Sequence, residues 1–461
     1  MSQVSDVGTV AAAPKRRLNL FDSTSIIVGI IIGSSIYKSS PMIASCVSGA
    51  GGLAGVWVLG GVLSLIGALC YAELATAYPA DGGDYVYLTR AFGRPVGFLF
   101  AWAQLWIVRP GSVGALAYVF AQYANELWPL GKGSGAMMAY AGGAVVVLTL
   151  INMLGLRPGK WTQNVLTTVK FVGLCAIVVV GFLSKSQGGG TTATGGGSWN
   201  LSFAMILILY AYGGWNEMAY VAAEVRDPRR NILRSLVLGT VAVTGVYVLL
   251  NLAFVHALGF EGLCGSKAVA ADVLRRGGHE WAGRAISVLI CISAVGAING
   301  MIFTGCRITY AVGREYRVYS WLGEWNESRG APIRSLVVQA VVTLGLVIGF
   351  GRKAGGFESL VIFTTPVFWI FFLLVGVSLV VLRVREPGTP RPYRVPLYPV
   401  IPALFCLSSL FMLHASFDWA WQNRSWEALW SLVILGVGLG LSFFDSGRGK
   451  GQVGFEVAVD G

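Results

Sequence analysis

Charge is scarce in this chain. Asp, Glu, Lys and Arg make up 12% of its 461 residues, where soluble domains average roughly 25%. A chain this poor in charge cannot cover a water-facing surface of its size, so a soluble multidomain protein is excluded. Cysteine is sparse too. Cys46, Cys70, Cys175, Cys264, Cys291, Cys306 and Cys406 form no CxxC pair, show no metal-ligand spacing and mostly fall inside apolar runs. They read as small packing residues rather than a disulfide framework. The three histidines, His256, His279 and His414, do not cluster. HExxH, phosphate-loop and nucleophile-elbow patterns are also missing. No catalytic residue, metal or cofactor is therefore expected, and the chain does not read as an enzyme. Its first residues carry Lys15-Arg16-Arg17 and no cleavable signal, which suggests a short tail.

What is abundant is apolar sequence, at 55% of the residues. Runs long enough to cross a bilayer recur along nearly the whole length. Twelve spans are expected, over 20–46, 53–78, 95–123, 136–154, 162–182, 201–222, 232–258, 282–312, 335–350, 357–382, 398–415 and 426–444. The longest gaps between them, 259–281 and 313–334, hold about two dozen residues each, too few for a separate soluble domain. A Gly/Thr tract at 188–197 reads as a flexible outer loop, and a proline-rich basic stretch at 386–399 as a stiff strap. The net charge of +12 follows the topology. With the N-terminus inside, the inner segments hold 21 of the 34 Lys and Arg residues and the outer segments eight. The positive-inside rule then puts both termini in the cytoplasm and the protein in the cytoplasmic (inner) membrane. A nucleic-acid partner is not expected, because the basic residues are distributed by loop rather than gathered in a patch.

Two of these spans are interrupted at their centres by glycine and small polar residues. The first reads Ile30-Ile31-Ile32-Gly33-Ser34-Ser35-Ile36-Tyr37, the second Tyr210-Ala211-Tyr212-Gly213-Gly214-Trp215-Asn216-Glu217. An unpaired backbone group in hydrocarbon costs several kcal/mol, roughly, so a broken helix persists only where protein or a wet cavity satisfies it. Breaks at matching places in two halves point to a transport site. Five helices separate equivalent positions, so the second half crosses in the opposite sense. The expected fold is all-α and integral to the membrane, with about 12 transmembrane helices. It is a 5+5 inverted repeat with two additional C-terminal helices, and helices 1 and 6 are discontinuous. Its boundaries are a tail over 1–19, a transporter domain over 20–446 and a cytoplasmic tail over 447–461. Within the domain the repeats cover 20–182 and 201–382, and the extra helices 398–444.

The chemistry of such a site follows from helix ends. A helix resuming near Ile36 offers free N–H groups and a positive dipole end to an anion such as a carboxylate. Carbonyls at the end of the first half-helix, near Ile32, and in the second break, at Tyr210, Ala211 and Gly213, attract a cation such as an ammonium. One pocket then suits the two ends of a zwitterion. Glycine kinks used only for packing are the structural alternative. The expected substrate contacts are Ile31, Gly33, Ser34, Ser35, Ile36, Tyr210, Ala211, Gly213, Trp215 and Asn299.

Gly29 to Tyr37 resembles the first-helix motif of amino acid–polyamine–organocation permeases. Ala211-Tyr212-Gly213-Gly214-Trp215-Asn216 is similar to the sixth-helix motif of the L-type amino acid transporter family among them. Tyr71-Ala72-Glu73-Leu74, Gly82-Gly83-Asp84-Tyr85-Val86-Tyr87, Arg109-Pro110 and Asn299-Gly300-Met301-Ile302-Phe303-Thr304 fit that family's pattern in the same order. The resemblance implies the same fold and amino acids as substrates. It assigns Tyr210 the place of a gating aromatic, with Tyr for the usual Phe, and Ser35 the place of a second glycine. Animal members tie an accessory subunit through a cysteine in the outer loop near 125–135. None occurs here, so no covalently linked partner is expected.

Each charge within a span needs an account, because placing one at mid-bilayer costs about 2.5–3.5 kcal/mol on insertion scales. The resemblance puts Lys170 where sodium-coupled relatives of this fold bind Na⁺, with its ammonium on carbonyls around Ile30 and Ile31. Sodium-independent transport follows; a structural lysine paired with a carboxylate is the alternative. Arg109, before Pro110, would satisfy the carbonyl of Trp106 or a neighbouring helix. Glu217 is a candidate proton carrier, or a partner of Lys170, or a side chain reaching the inner vestibule. Lys38 is expected to reach the outer vestibule. Tyr210, Lys170 and Glu217 are thus the gating or coupling residues. The sequence points to an alternating-access amino acid permease in the bilayer, by sodium-independent exchange or by proton-coupled uptake. A polyamine or organic-amine carrier of the same fold is the alternative, ahead of a channel or membrane enzyme.

Overall fold

The computed structural model describes residues 17–33, 35–80, 82–131, 133–184, 201–266, 269–276, 281–351, 356–422 and 426–442. The tract at 188–197, His279, Ser34, most of each terminal tail and the side chains of Ser35 and Lys38 lie outside the described residues.

The N-terminal helix α1 (Leu20–Ile31) opens on a capping box: Asn19 Oδ1 accepts from the Asp22 amide at 2.8 Å, and Asp22 Oδ2 accepts from the Asn19 amide at 3.1 Å. Two orphan donors of the helix start are satisfied in this way. Nearly every α1 side chain is buried, so α1 is a central helix rather than an amphipathic surface one. After the interruption come α2 (Ser35–Ser45), α3 (Gly49–Ala77), α4 (Asp84–Phe92) and α5 (Arg94–Ala103). A π-helical turn, Gln104–Val108, leads into α6 (Arg109–Leu127). Pro110 has no N–H to give the carbonyl of Trp106, and the Arg109 amide bonds Gln104 O, five residues back. Then follow α7 (Ser134–Met153), α8 (Leu156–Leu183) and α9 (Leu201–Ala211), the last continued after a second interruption by a 3-10 helix, Trp215–Glu224.

The remainder is α10 (Pro228–Leu258), the short helices α11 (Phe260–Gly265) and α12 (Val269–Arg276), α13 (Ala282–Glu315), a 3-10 segment Arg317–Leu322, α14 (Ile333–Gly351), α15 (Gly356–Arg385), α16 (Val400–Gln422) and α17 (Trp426–Ser442). Among the described residues there is no strand, only two isolated bridges. Eight helices (α3, α7, α8, α10, α13, α14, α15 and α16) are each long and apolar enough to cross a bilayer. Burial orders them from centre to edge. The apolar window of α13 is 72% buried, against 28% for α7, α8, α14 and α16. In a bilayer an apolar side chain needs no burial, so low burial of a span marks a lipid-facing position. α1 packs on α8, α10 and α13, and these four helices form the middle of the molecule.

Candidate functional site

Both interruptions are real breaks in the helical hydrogen-bond ladder. α1 stops at Ile31, Ile32 leaves helical geometry at ψ 83°, and the Gly33 amide folds back onto Ile31 O at 2.7 Å. α9 stops at Ala211, the Gly213 amide turns to Tyr210 O at 3.1 Å, and Gly214 sits at φ +115°. The breaks touch: α2 packs on α9, and a Cβ on Gly214 would stand 2.6 Å from Ile30 Cγ2. Only glycine combines that backbone angle with that contact.

What becomes of the carbonyls at the end of α1? Side chains from three helices take them. Lys170 on α8 donates from Nζ to Gly29 O at 2.5 Å, Ile32 O at 2.8 Å and Ser293 O at 3.1 Å. Ser293 Oγ on α13 donates to Ile32 O at 2.9 Å. Tyr247 on α10 reaches Ile31 O at 2.9 Å and Ala211 O, at the end of α9, at 3.3 Å. Lys170 is thus seated one position either side of the expected carbonyls of Ile30 and Ile31, and no carboxylate pairs with it among the described residues. The expectation that the end of α1 offers free carbonyls to an ammonium is corrected, since the protein supplies its own donors. Among the described residues no hydrogen bond reaches the carbonyls of Leu209, Tyr212 or Gly213, so open acceptors remain at the second break.

The side chains of Ile31, Ile36 and Ala211 are buried in the core, which leaves only their backbone for a ligand. The Tyr210 side chain is 42% exposed. Gly213 and Trp215 line a cavity of about 30 Å³ with Leu63, Phe368, Phe372 and Phe405. That is room for a water rather than an amino acid. Trp215 packs edge-on against Tyr71 at 5.1 Å between ring centres. Asn299 is a correction. Its amide donates to Gly159 O at 3.3 Å and Gln163 Oε1 at 3.0 Å, and its oxygen accepts from Asn152 at 2.8 Å. It is fully buried between α7, α8 and α13. The face of α13 turned to the broken segments instead carries Ser293, Gly296, Gly300, Thr304 and Arg307, a three-and-four spacing. Asn299 lies about 100° away from Gly300 around that helix.

Beyond the second break a polar network closes one end of the molecule. Arg109 Nη1 and Glu217 Oε2 are 2.6 Å apart and buried, and Glu217 also accepts from Thr304 at 2.5 Å. Arg109 further bonds Gln104 and lies over the Tyr220 ring at 4.7 Å. Glu217 therefore pairs with Arg109, neither with Lys170 nor with an open vestibule. Arg109 serves that pair rather than the carbonyl of Trp106. Tyr71 and Tyr220 both donate to Asp84 Oδ2, at 2.9 and 2.7 Å. Arg307 meets Glu224 at 2.5 Å, fully buried. The amides of Arg17 and Leu18 bond Glu224 O, and the Arg226 amide bonds Leu18 O. Sequence reading missed Tyr247, Ser293 and the Arg307–Glu224 pair. Arg307 and Glu73, charges inside apolar runs, were available as signals. So was the polar stripe Gln163, Thr167, Lys170 at helical spacing on α8.

Known proteins of this kind match along most of the chain. The family model described as amino acid permease covers residues 18–439. The b(0,+)-type amino acid transporter 1 of Mus musculus is 31% identical over 436 residues, covering 92% of this chain and 87% of its own length. The Asc-type amino acid transporter 1 of Mus musculus is 31% identical over 88% of this chain and 77% of its own. The large neutral amino acids transporter small subunit 2 of Mus musculus is 28% identical over 94% and 80%. A continuous match of that extent, on a helical chain with its breaks side by side, has one meaning: the protein belongs to the amino acid permease family.

Proposed function

We propose that the protein is a sodium-independent secondary transporter that moves amino acids by alternating access, with the substrate held between the two breaks. The Lys170 ammonium on the carbonyls of Gly29, Ile32 and Ser293 carries this reading. It supplies a fixed positive charge to the end of α1 that a bound metal cation would otherwise supply, so no inorganic cation is needed to hold the break. The first-turn amides of α2 take the substrate carboxylate, and the open carbonyls of the second break take its ammonium. Tyr210, partly exposed beside the second break, covers the substrate from one side. A neutral side chain on the substrate is in keeping with the large neutral amino acids named for one relative.

Twelve crossings arranged as a 5+5 inverted repeat with two further helices fit the helix order. α1 with α2 makes the first crossing, and α9 with its 3-10 continuation the sixth. Both termini are cytoplasmic by the charge distribution, so the end closed by Leu18, Glu224 and Arg307 is the inner gate. The protein acts without a covalently attached accessory subunit. Two measurements test the core of this reading. A thermal-shift screen of the twenty amino acids and common amines on purified protein should show stabilisation by neutral amino acids; stabilisation by amines alone would replace the substrate class. Uptake of the stabilising amino acid into proteoliposomes should be unchanged when choline replaces sodium. A large loss would refute sodium independence.

A further inference from the structure

Among the described residues, the hydroxyl of Tyr247 is the one group that bonds the ends of both broken helices. It lies 2.9 Å from Ile31 O, the last helical residue of α1, and 3.3 Å from Ala211 O, the last of α9. A phenol carries one proton, so it makes a full bond to one carbonyl at a time. Both acceptors stand at helix C-termini, where carbonyls lack intrahelical partners and the dipole is negative. The ring does not move freely. It is fully buried, with Trp57 at 5.3 Å edge-on and Tyr212 at 5.3 Å between ring centres. Tyr212 in turn donates to Trp57 O at 3.0 Å, which fixes that pair of rings to α3.

We infer that Tyr247 is a positioning residue that holds the ends of α1 and α9 in register, so that one zwitterion can reach the amides of α2 and the carbonyls of the second break together. This rests on the two-pole substrate site proposed above. If either half-helix tilts, the proton stays with the other carbonyl, and the link is broken without leaving both acceptors bare. A substrate that touches both poles feels the loss of register. A ligand that touches only one pole does not.

Tyr247→Phe keeps the ring and removes the link. L-leucine and 3-methylbutylamine, its decarboxylated counterpart, serve as probes of both poles and of one. The expected result is a three- to tenfold rise in KM and Kd for leucine, the range for one hydrogen bond, with little change in kcat or in amine affinity. A general packing defect would weaken both ligands alike and would overturn the inference. Amide exchange on ligand-free protein gives a second readout that needs no transport. Tyr247→Phe should speed exchange over both 29–33 and 209–214. Unchanged exchange over both segments refutes the link. If the wild-type protein binds no amino acid while the exchange pattern appears, the substrate reading fails and the coupling of the two ends stands.

Discussion

If the proposed inner gate opens at the 3-10 helix, Asp84 should make that opening sensitive to pH. Asp84 begins α4, too short a helix to cross a bilayer, and is 1% exposed. Its Oδ2 accepts from two tyrosines, and among the described residues its Oδ1 has no partner. The ionisable groups facing it are Tyr71 on α3, Tyr87 on α4, Tyr220 and Glu217 on the 3-10 helix and Arg109 on α6. Arg109 is already engaged by Glu217. From α15, Arg383 is held by Glu73, and Arg385 by Ala91 O. Burial pushes the Asp84 carboxyl up to about 7, against the pull of the two tyrosine hydroxyls.

If opening the gate hydrates Asp84, its carboxyl returns toward the usual 3.8. At about 1.4 kcal/mol per tenfold in an equilibrium, the difference is worth about 4 kcal/mol. The sign follows from which form each state prefers. The closed gate favours the protonated acid, so its advantage is complete below about 4 and is lost as the pH rises to about 7. The open fraction should therefore climb about tenfold per pH unit through that window and level off above it. Amide exchange over 215–224 in purified protein, from pH 5 to 8 and corrected for intrinsic rates, reads this directly. Asp84→Asn should remove the rise and hold the gate at its acid-pH level. Tyr220→Phe takes away a donor that favours the carboxylate, so its midpoint should move to higher pH. An Asp84→Asn variant with the wild-type pH profile would sink the reasoning.

Two substitutions test the packing around the breaks. Gly214→Ala puts a Cβ 2.6 Å from Ile30 at φ +115°, and should cost about 1–3 kcal/mol, seen as a lower melting temperature. Gly143→Ala on α7, where nothing lies within 4 Å, should melt no lower than the wild type. Arg307→Met leaves Glu224 buried without its cation and should cost about 3–5 kcal/mol, while Arg307→Met with Glu224→Met should recover much of it. A single Arg307→Met variant as stable as the wild type would mean that the pair does not hold this end of the molecule together.

The breaks were legible because glycine is the one residue whose backbone demands show in composition. Gly33 and Gly213–Gly214 stand where apolar periodicity should have continued, and the chain leaves helical geometry there. For Lys170 the sequence said only that a charge in an apolar run must meet a partner; it was the resemblance that pointed to the carbonyls of the first break rather than to a carboxylate. Partner choice was not legible. Glu217 had Arg109 and Lys170 as rival cations, and sequence distance ranks neither. The register of α6 against the 3-10 helix decides for Arg109, and that register is a property of packing.

Helical phase explains the rest. Asn299 and Gly300 are neighbours in sequence and about 100° apart around α13, which sends one into the Asn152–Gln163 cluster and the other against Ile30. Tyr247 shows the same limit from the other direction. Its ring is apolar enough to pass as ordinary packing, and only the geometry shows its hydroxyl between two carbonyls 180 residues apart in the chain. The broken helices declare that something must satisfy their ends. Which side chain does so is settled by three neighbouring helices at once, α8, α10 and α13, which turn Lys170, Tyr247 and Ser293 toward the end of α1. On the function proposed above, the substrate ammonium is therefore left to the carbonyls of the second break, while the first break offers the carboxylate the amides of α2.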